Sequence, residues 1–106
     1  MKYFTLLFCL SLIGNLNSQN LELYEKETFI FKNDTLHYRI LKPLNYDHNK
    51  QYPVHLFLHG AGERGNDNIS QLMHGGKLFL KKENREKYNS WVIFPQCSEN
   101  DRWPSL

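Results

Sequence analysis

The sequence predicts an α/β fold, and three features carry that reading. Residues 28–41 form a β-prone hairpin, strongly apolar runs follow at 52–58 and 91–95, and a glycine-rich loop leads from the first run into a helical stretch. Strands that alternate with a helix belong to a sheet whose later strands run parallel. The order of hairpin, strand, glycine loop, helix and strand is the opening of such a sheet rather than a finished one. Composition fits a globular chain: 41% of the 106 residues are hydrophobic, 14% aromatic and 23% charged. The aromatic content argues against disorder. A net charge of +2 without a basic block gives no support to nucleic-acid binding. No apolar run reaches the roughly 18 residues of a membrane span.

The first 19 residues read as a signal peptide rather than as part of the domain. Met1-Lys2-Tyr3 supplies a basic start, Phe4 to Ile13 is mostly apolar, and Gly14 to Asn20 is polar and turn-like. That layout is the one a secretory leader uses, and a buried helix of the domain is the alternative. Cleavage is expected after Ser18 or Gln19, without an A-x-A pattern to mark it. Cys9 follows the bulky Phe8, which disfavours a lipoprotein cysteine. Export makes the product periplasmic or secreted, and leaves Cys97 as the one cysteine. Such a thiol is either buried and inert or waiting for a partner.

In residues 28–41, Thr28-Phe29-Ile30-Phe31 is β-prone and Lys32-Asn33-Asp34 is a turn signal. Leu36, Tyr38 and Ile40 then alternate with His37, Arg39 and Leu41, which predicts a strand with one face more polar than the other. Pro43 stops it, and Leu44 to Gln51 is a polar loop. The run from Tyr52 to Leu58 is apolar without alternation, as in a strand covered on both faces. The spacing of Ile69, Leu72 and Met73 predicts a short helix capped by Asp67 or Asn68 and interrupted at Gly75-Gly76. Lys77 to Lys87 is a charged surface stretch with Leu78, Phe79 and Leu80 facing inward. Trp91 to Pro95 is a second buried strand, and Ser98 to Leu106 is loop-like.

The loop His59-Gly60-Ala61-Gly62-Glu63-Arg64-Gly65 carries the chemistry. In acyl transfer the carbonyl oxygen gains negative charge, and backbone N–H groups fixed beside it stabilise it. Glycines let the backbone approach, Ala61 or Gly62 would be the donor, and His59 would brace the loop. A plain tight turn after a strand explains the glycines equally well. The spacing fits neither a dinucleotide-binding fingerprint nor a P-loop. Glu63 and Arg64 either orient substrate or pair with one another to hold the loop. Trp103, after the last strand, either lines an acyl or sugar pocket or packs. His55 and His59 share a strand face, but no third ligand is spaced for a metal.

Taken together, Leu56-Phe57-Leu58-His59-Gly60-Ala61-Gly62-Glu63-Arg64-Gly65-Asn66-Asp67-Asn68, Leu72-Met73-His74-Gly75-Gly76 and Val92-Ile93-Phe94-Pro95-Gln96-Cys97 resemble the secreted α/β-hydrolase esterases. Within them the chain resembles the phospholipase/carboxylesterase and polyhydroxybutyrate-depolymerase-like proteins, with relatives among feruloyl esterases. The likeness runs over residues 28–104. It implies a serine hydrolase acting on a small-molecule or polymeric carboxylic ester without a cofactor. Its oxyanion hole would use the backbone of Ala61 and Gly62, with His59, Gly60, Glu63 and Arg64 as support. The nucleophile would sit in a G-x-S-x-G elbow on a later strand, followed by an acid and a histidine. None of the six glycines builds such an elbow here. A hydrolase domain of this kind needs roughly 200–250 residues, so the triad is expected beyond Leu106. Residues 20–106 are accordingly expected to be a partial, inactive α/β-hydrolase domain. A short, degenerate hydrolase-like binding protein is the alternative.

Overall fold

A computed structural model describes residues 20–104. The leader expected over residues 1–19, with Cys9, lies outside the described residues, as do Ser105 and Leu106. Four strands form one sheet: β1 (Glu25–Phe31), β2 (Asp34–Leu41), β3 (Val54–Leu56) and β4 (Trp91–Gln96). Two short helices, α1 (Gly76–Leu80) and α2 (Lys82–Lys87), join β3 to β4, and three-residue 3₁₀ turns occupy Leu21–Leu23, Ala61–Glu63 and Ser70–Leu72. No helix among the described residues is long and apolar enough to cross a membrane.

The sheet order is β1-β2-β4-β3. The expected hairpin is present: β1 and β2 pair antiparallel from Glu25↔Ile40 to Phe31↔Asp34, leaving Lys32-Asn33 as the connection. Lys32 takes φ 54, the left-handed turn conformation that closes so short a loop. β2 pairs antiparallel with β4, and β3 pairs parallel with β4. The sheet is therefore mixed, with the parallel pair that the glycine-loop crossover requires.

Two prolines set the length of β3. In a parallel ladder alternate residues of one strand both donate to and accept from the neighbour. The Pro53 carbonyl accepts from the Trp91 N–H at 2.9 Å, and the Phe57 N–H donates to the Ile93 carbonyl at 2.9 Å. Proline has no N–H. Pro53 therefore cannot donate at the start, and Pro95 cannot donate to Phe57 at the end. The ladder stops there, and the chain from Leu58 onward is free to leave the sheet as the glycine loop.

One face of the sheet is covered. Leu41, Val92 and Phe94 pack there with Tyr24, Leu72 and Leu80 to form the core. Phe57 stacks on Phe94 with centroids 4.8 Å apart, and Tyr24 meets Phe94 edge-on at 5.3 Å. The Tyr24 hydroxyl donates to the Gly76 carbonyl at 2.6 Å, tying the core to the start of α1. Gly75 is needed here, because a Cβ would lie 2.8 Å from the Phe57 ring.

Four expectations change. Residues 52–58 are not covered on both faces: Val54, Leu56 and Leu58 are 60%, 61% and 51% exposed, while His55, Phe57 and His59 turn inward. The helix expected from Ile69 is a single 3₁₀ turn. Its N-cap is Ile69 rather than Asp67 or Asn68. Asp67, two residues earlier, accepts from the N–H groups of Ile69 (2.9 Å) and Ser70 (3.0 Å), and of the three apolar residues Ile69 and Met73 are exposed while Leu72 is buried. Gly75-Gly76 do not interrupt a helix but begin one, and Leu78 is exposed rather than inward. The structure also decides a point left open by the alternation in β2. Its polar-looking face, with Arg39 and Leu41, is the buried one, and Leu36, Tyr38 and Ile40 lie on the other.

Candidate functional site

A polar platform lies beneath the glycine loop. Arg39 is 2% exposed, and its guanidinium donates to three carbonyls: Tyr24 (2.9 Å), Asn68 (2.9 Å) and Leu21 (3.1 Å). Burial lowers its pKa from the usual arginine value, partly opposed by the charge of Glu22. Gln96, buried on β4, accepts from the Asn68 N–H at 2.8 Å and donates to the Glu63 carbonyl (3.2 Å) and the Asp67 carboxylate (2.8 Å). Asn68 itself takes φ 53 and reaches the Tyr38 carbonyl at 3.2 Å. Gly65 takes φ 149, a conformation that excludes most side chains, and donates its N–H to the Cys97 carbonyl at 3.0 Å. The loop is thus fixed to β2 and β4 through Arg39 and Gln96, to which sequence patterning assigned no role.

The His59 imidazole is held at both nitrogens. The Cys97 N–H donates to Nε2 at 2.9 Å, so Nε2 carries no proton and Nδ1 donates to the Gly60 carbonyl at 2.6 Å. This neutral imidazole is a brace, with no nitrogen left for proton transfer. The Gly60 carbonyl also receives the Glu63 N–H at 3.3 Å. In a trans peptide the C=O and the following N–H point in opposite directions. Turning the Gly60 carbonyl onto His59 therefore turns the Ala61 N–H away from it. Among the described residues neither Ala61 nor Gly62 donates its N–H to any acceptor, and both residues are exposed.

Glu63 and Arg64 hold the loop through separate partners rather than through one another. The Glu63 carboxylate is nearly buried beneath Gly60, where a Cβ would lie 3.1 Å from Oε2, and it pairs with His74 Nε2 at 2.7 Å. Arg64 donates to the carbonyls of Ala61 (3.0 Å) and Asp101 (2.9 Å). Gly62 has no atom within 4 Å of where a Cβ would stand, so steric need for glycine falls on Gly60 and Gly65 instead. Trp103 donates its indole N–H to the His59 carbonyl at 2.9 Å, and its ring lies 5.1 Å from the imidazole. His59, Gly60, Ala61, Arg64, Cys97, Arg102 and Trp103 line a single cleft of about 470 Å³. Cys97 is buried in its floor, and burial raises the thiol pKa above its ordinary value, which suits an inert group.

A serine–histidine contact exists elsewhere. Ser90 Oγ and His55 Nδ1 lie 2.8 Å apart beside a separate cavity of about 270 Å³ under α1 and α2. Among the described residues no carboxylate pairs with His55, and the glycine loop borders the other cavity. The contact satisfies a buried hydroxyl and does not assemble a nucleophile.

No protein-family model matches the chain, and no curated protein matches it. Among solved structures, the fold is similar to that of a thermostable esterase, with a TM-score of 0.74 and 30% sequence identity. The match covers 81% of this chain and 24% of that one, so the chain spans about a quarter of the esterase's length. The fold is an esterase-like α/β fold.

Proposed function

We propose that this chain is the N-terminal part of an exported serine esterase of the α/β-hydrolase type, contributing the oxyanion-hole loop and one wall of the substrate cleft. The observation that carries the reading is the Gly60–Ala61 peptide, whose carbonyl is pinned on His59 while its N–H is left without an acceptor beside an open cleft. The Ala61 and Gly62 N–H groups would receive the carbonyl oxygen of a carboxylic ester as it becomes negative, with no reorganisation needed at that moment. Similarity to an esterase about four times as long supports a hydrolase-like fragment. The bare apolar face carrying Val54, Leu56 and Leu58 also suits further chain packing against it. The nucleophile, acid and base of such an enzyme are assigned to sequence beyond Leu106.

Ala61→Pro tests the reading in the full-length protein. Ala61 opens its 3₁₀ turn after a residue at φ -81 and ψ -179, a position where proline fits and removes only the N–H. Ester turnover is expected to fall on the order of 10²–10³ in kcat with the fold retained. Unchanged kcat in a folded variant overturns the assignment. Residues 20–106 alone are expected to be inactive, since losing a triad costs on the order of 10⁶ in turnover. Ester hydrolysis by that piece, blocked by a serine-directed inhibitor, would contradict the placement of the triad.

A further inference from the structure

We infer that the cleft beside the glycine loop selects an ester bearing a carboxylate a few bonds from its scissile carbonyl; this rests on the oxyanion reading above. Two guanidinium side chains, Arg64 and Arg102, line the same cleft as Gly60 and Ala61. Arg64 is held by carbonyl oxygens only, those of Ala61 and Asp101. Carbonyl dipoles orient a guanidinium without neutralising it. Neither arginine forms an ion pair with a carboxylate among the described residues. Asp101 keeps its negative charge beside them, but one carboxylate does not cancel two guanidiniums. Glu63 is turned beneath Gly60 onto His74, and Asp101 directs Oδ1 at the Arg102 backbone N–H at 2.8 Å.

The geometry favours recognition over simple bracing. Arg64 Nε is bonded to the carbonyl of Ala61, the residue whose N–H would face the reacting oxygen. With Nη1 on the Asp101 carbonyl as well, the guanidinium is ordered in the cleft wall, and Nη2 keeps its donors for a carboxylate. Arg102 adds a second positive group on the same wall. The Trp103 ring, fixed on the His59 carbonyl, is a low-dielectric surface that strengthens the field inside the cleft. A neutral ester would bind the same N–H groups and leave both guanidiniums without an anionic partner.

The test uses two ketones that cannot be hydrolysed, 4-oxopentanoate and its neutral isostere 4-oxopentanamide, titrated into the full-length protein by ligand-observed saturation-transfer NMR. The carboxylate is expected to bind about tenfold more tightly at low salt, the scale of one charge-assisted contact after screening, with the advantage shrinking as salt rises. Arg102→Gln and Arg64→Gln should each reduce the ratio, and Arg102→Glu should reverse it. The affinity of the neutral amide reports whether a variant keeps an intact cleft. Equal affinities for the two ketones in the unmodified protein overturn the charge selection and leave the oxyanion assignment standing. A charge preference with amide binding unaffected by Ala61→Pro keeps the anion site and removes the oxyanion assignment. If neither ketone binds, both fail.

Discussion

The Cys97 backbone N–H donates to His59 Nε2 at 2.9 Å, joining the residue just after β4 to the one that opens the glycine loop. This bond fixes the His59 tautomer, and the tautomer fixes the Gly60 carbonyl. A main-chain group 38 positions away in sequence thereby decides where the Ala61 N–H points. His59→Phe keeps a ring of similar shape but removes both nitrogens. The buried Cys97 N–H then has no acceptor, at a cost of about 1–3 kcal/mol. A lower urea midpoint at unchanged slope is the expected outcome, and an unchanged midpoint would show that the brace is dispensable.

Arg39 has a larger effect on stability. Replacing it with methionine keeps much of the apolar stem but leaves the carbonyls of Tyr24 and Asn68 without their side-chain donor and Leu21 with only the Tyr24 N–H. A loss of about 3 kcal/mol or more is expected, a large share of a typical domain's stability. Arg39→Lys should rescue little, because one ammonium cannot reproduce the flat fork that reaches three acceptors. Thermal unfolding of the two variants measures both effects, and a lysine variant as stable as the parent refutes the account.

Glycines in the two glycine motifs should respond in opposite ways. At Gly75 an added methyl meets the Phe57 ring at 2.8 Å, and overpacking of that kind costs about 1–3 kcal/mol. At Gly62 it meets nothing within 4 Å, so Gly62→Ala should stay within about 0.5 kcal/mol of the parent. Equal destabilisation by the two substitutions in denaturant melts would contradict the packing described.

Asp67 gives the loop a pH dependence. The Ser70 hydroxyl and N–H, and then the N–H of Ile69 and the amide of Gln96, hold its carboxyl well below the usual aspartate range, with partial burial opposing them. Unfolded, it titrates near the ordinary value of about 3.9. A depressed folded pKa gives stability that is complete above about pH 4 and is lost as pH falls toward the folded value. Asp67→Ala should therefore cost about 1 kcal/mol at pH 7, the typical net worth of a hydrogen bond, and the gap should narrow in strong acid. Melting curves of both proteins at pH 7 and pH 2.5 decide it; a gap that widens in acid reverses the sign and excludes the mechanism.

Much of the chain was legible in the sequence because local chemistry decided it. The hairpin follows from β-prone residues around Lys32-Asn33, and the strand from Trp91 follows from its apolar run. Asp67 stands out as a polar residue near the start of the turn and does bond the N–H groups of Ile69 and Ser70, though the N-cap itself is Ile69 and the expected helix is only one turn long. That helix failed because Ile69 and Met73 stay largely exposed, and of the three only Leu72 joins the core. The extent of β3 was hidden behind its apolarity. Pro53 and Pro95 end its ladder, and the role of Pro95 depends on which residue of another strand stands opposite.

The candidate site divides in the same way. His59, Gly60, Ala61, Glu63, Arg64 and Trp103 could be picked out in the sequence because they cluster around one loop and the end of one strand. Their partners could not, since His74, Cys97 and Asp101 lie 11, 38 and 37 positions from Glu63, His59 and Arg64. The sequence by itself determined an α/β chain with a hairpin, two apolar strands and a glycine loop able to offer backbone N–H groups. Only the tertiary structure decided which face of β2 is inside. Alternation establishes that a strand has two faces, and hydrophobicity alone would bury Leu36, Tyr38 and Ile40. The fold buries Arg39 instead, because Leu21, Tyr24 and Asn68 converge on it from two distant segments and offset its desolvation with three hydrogen bonds.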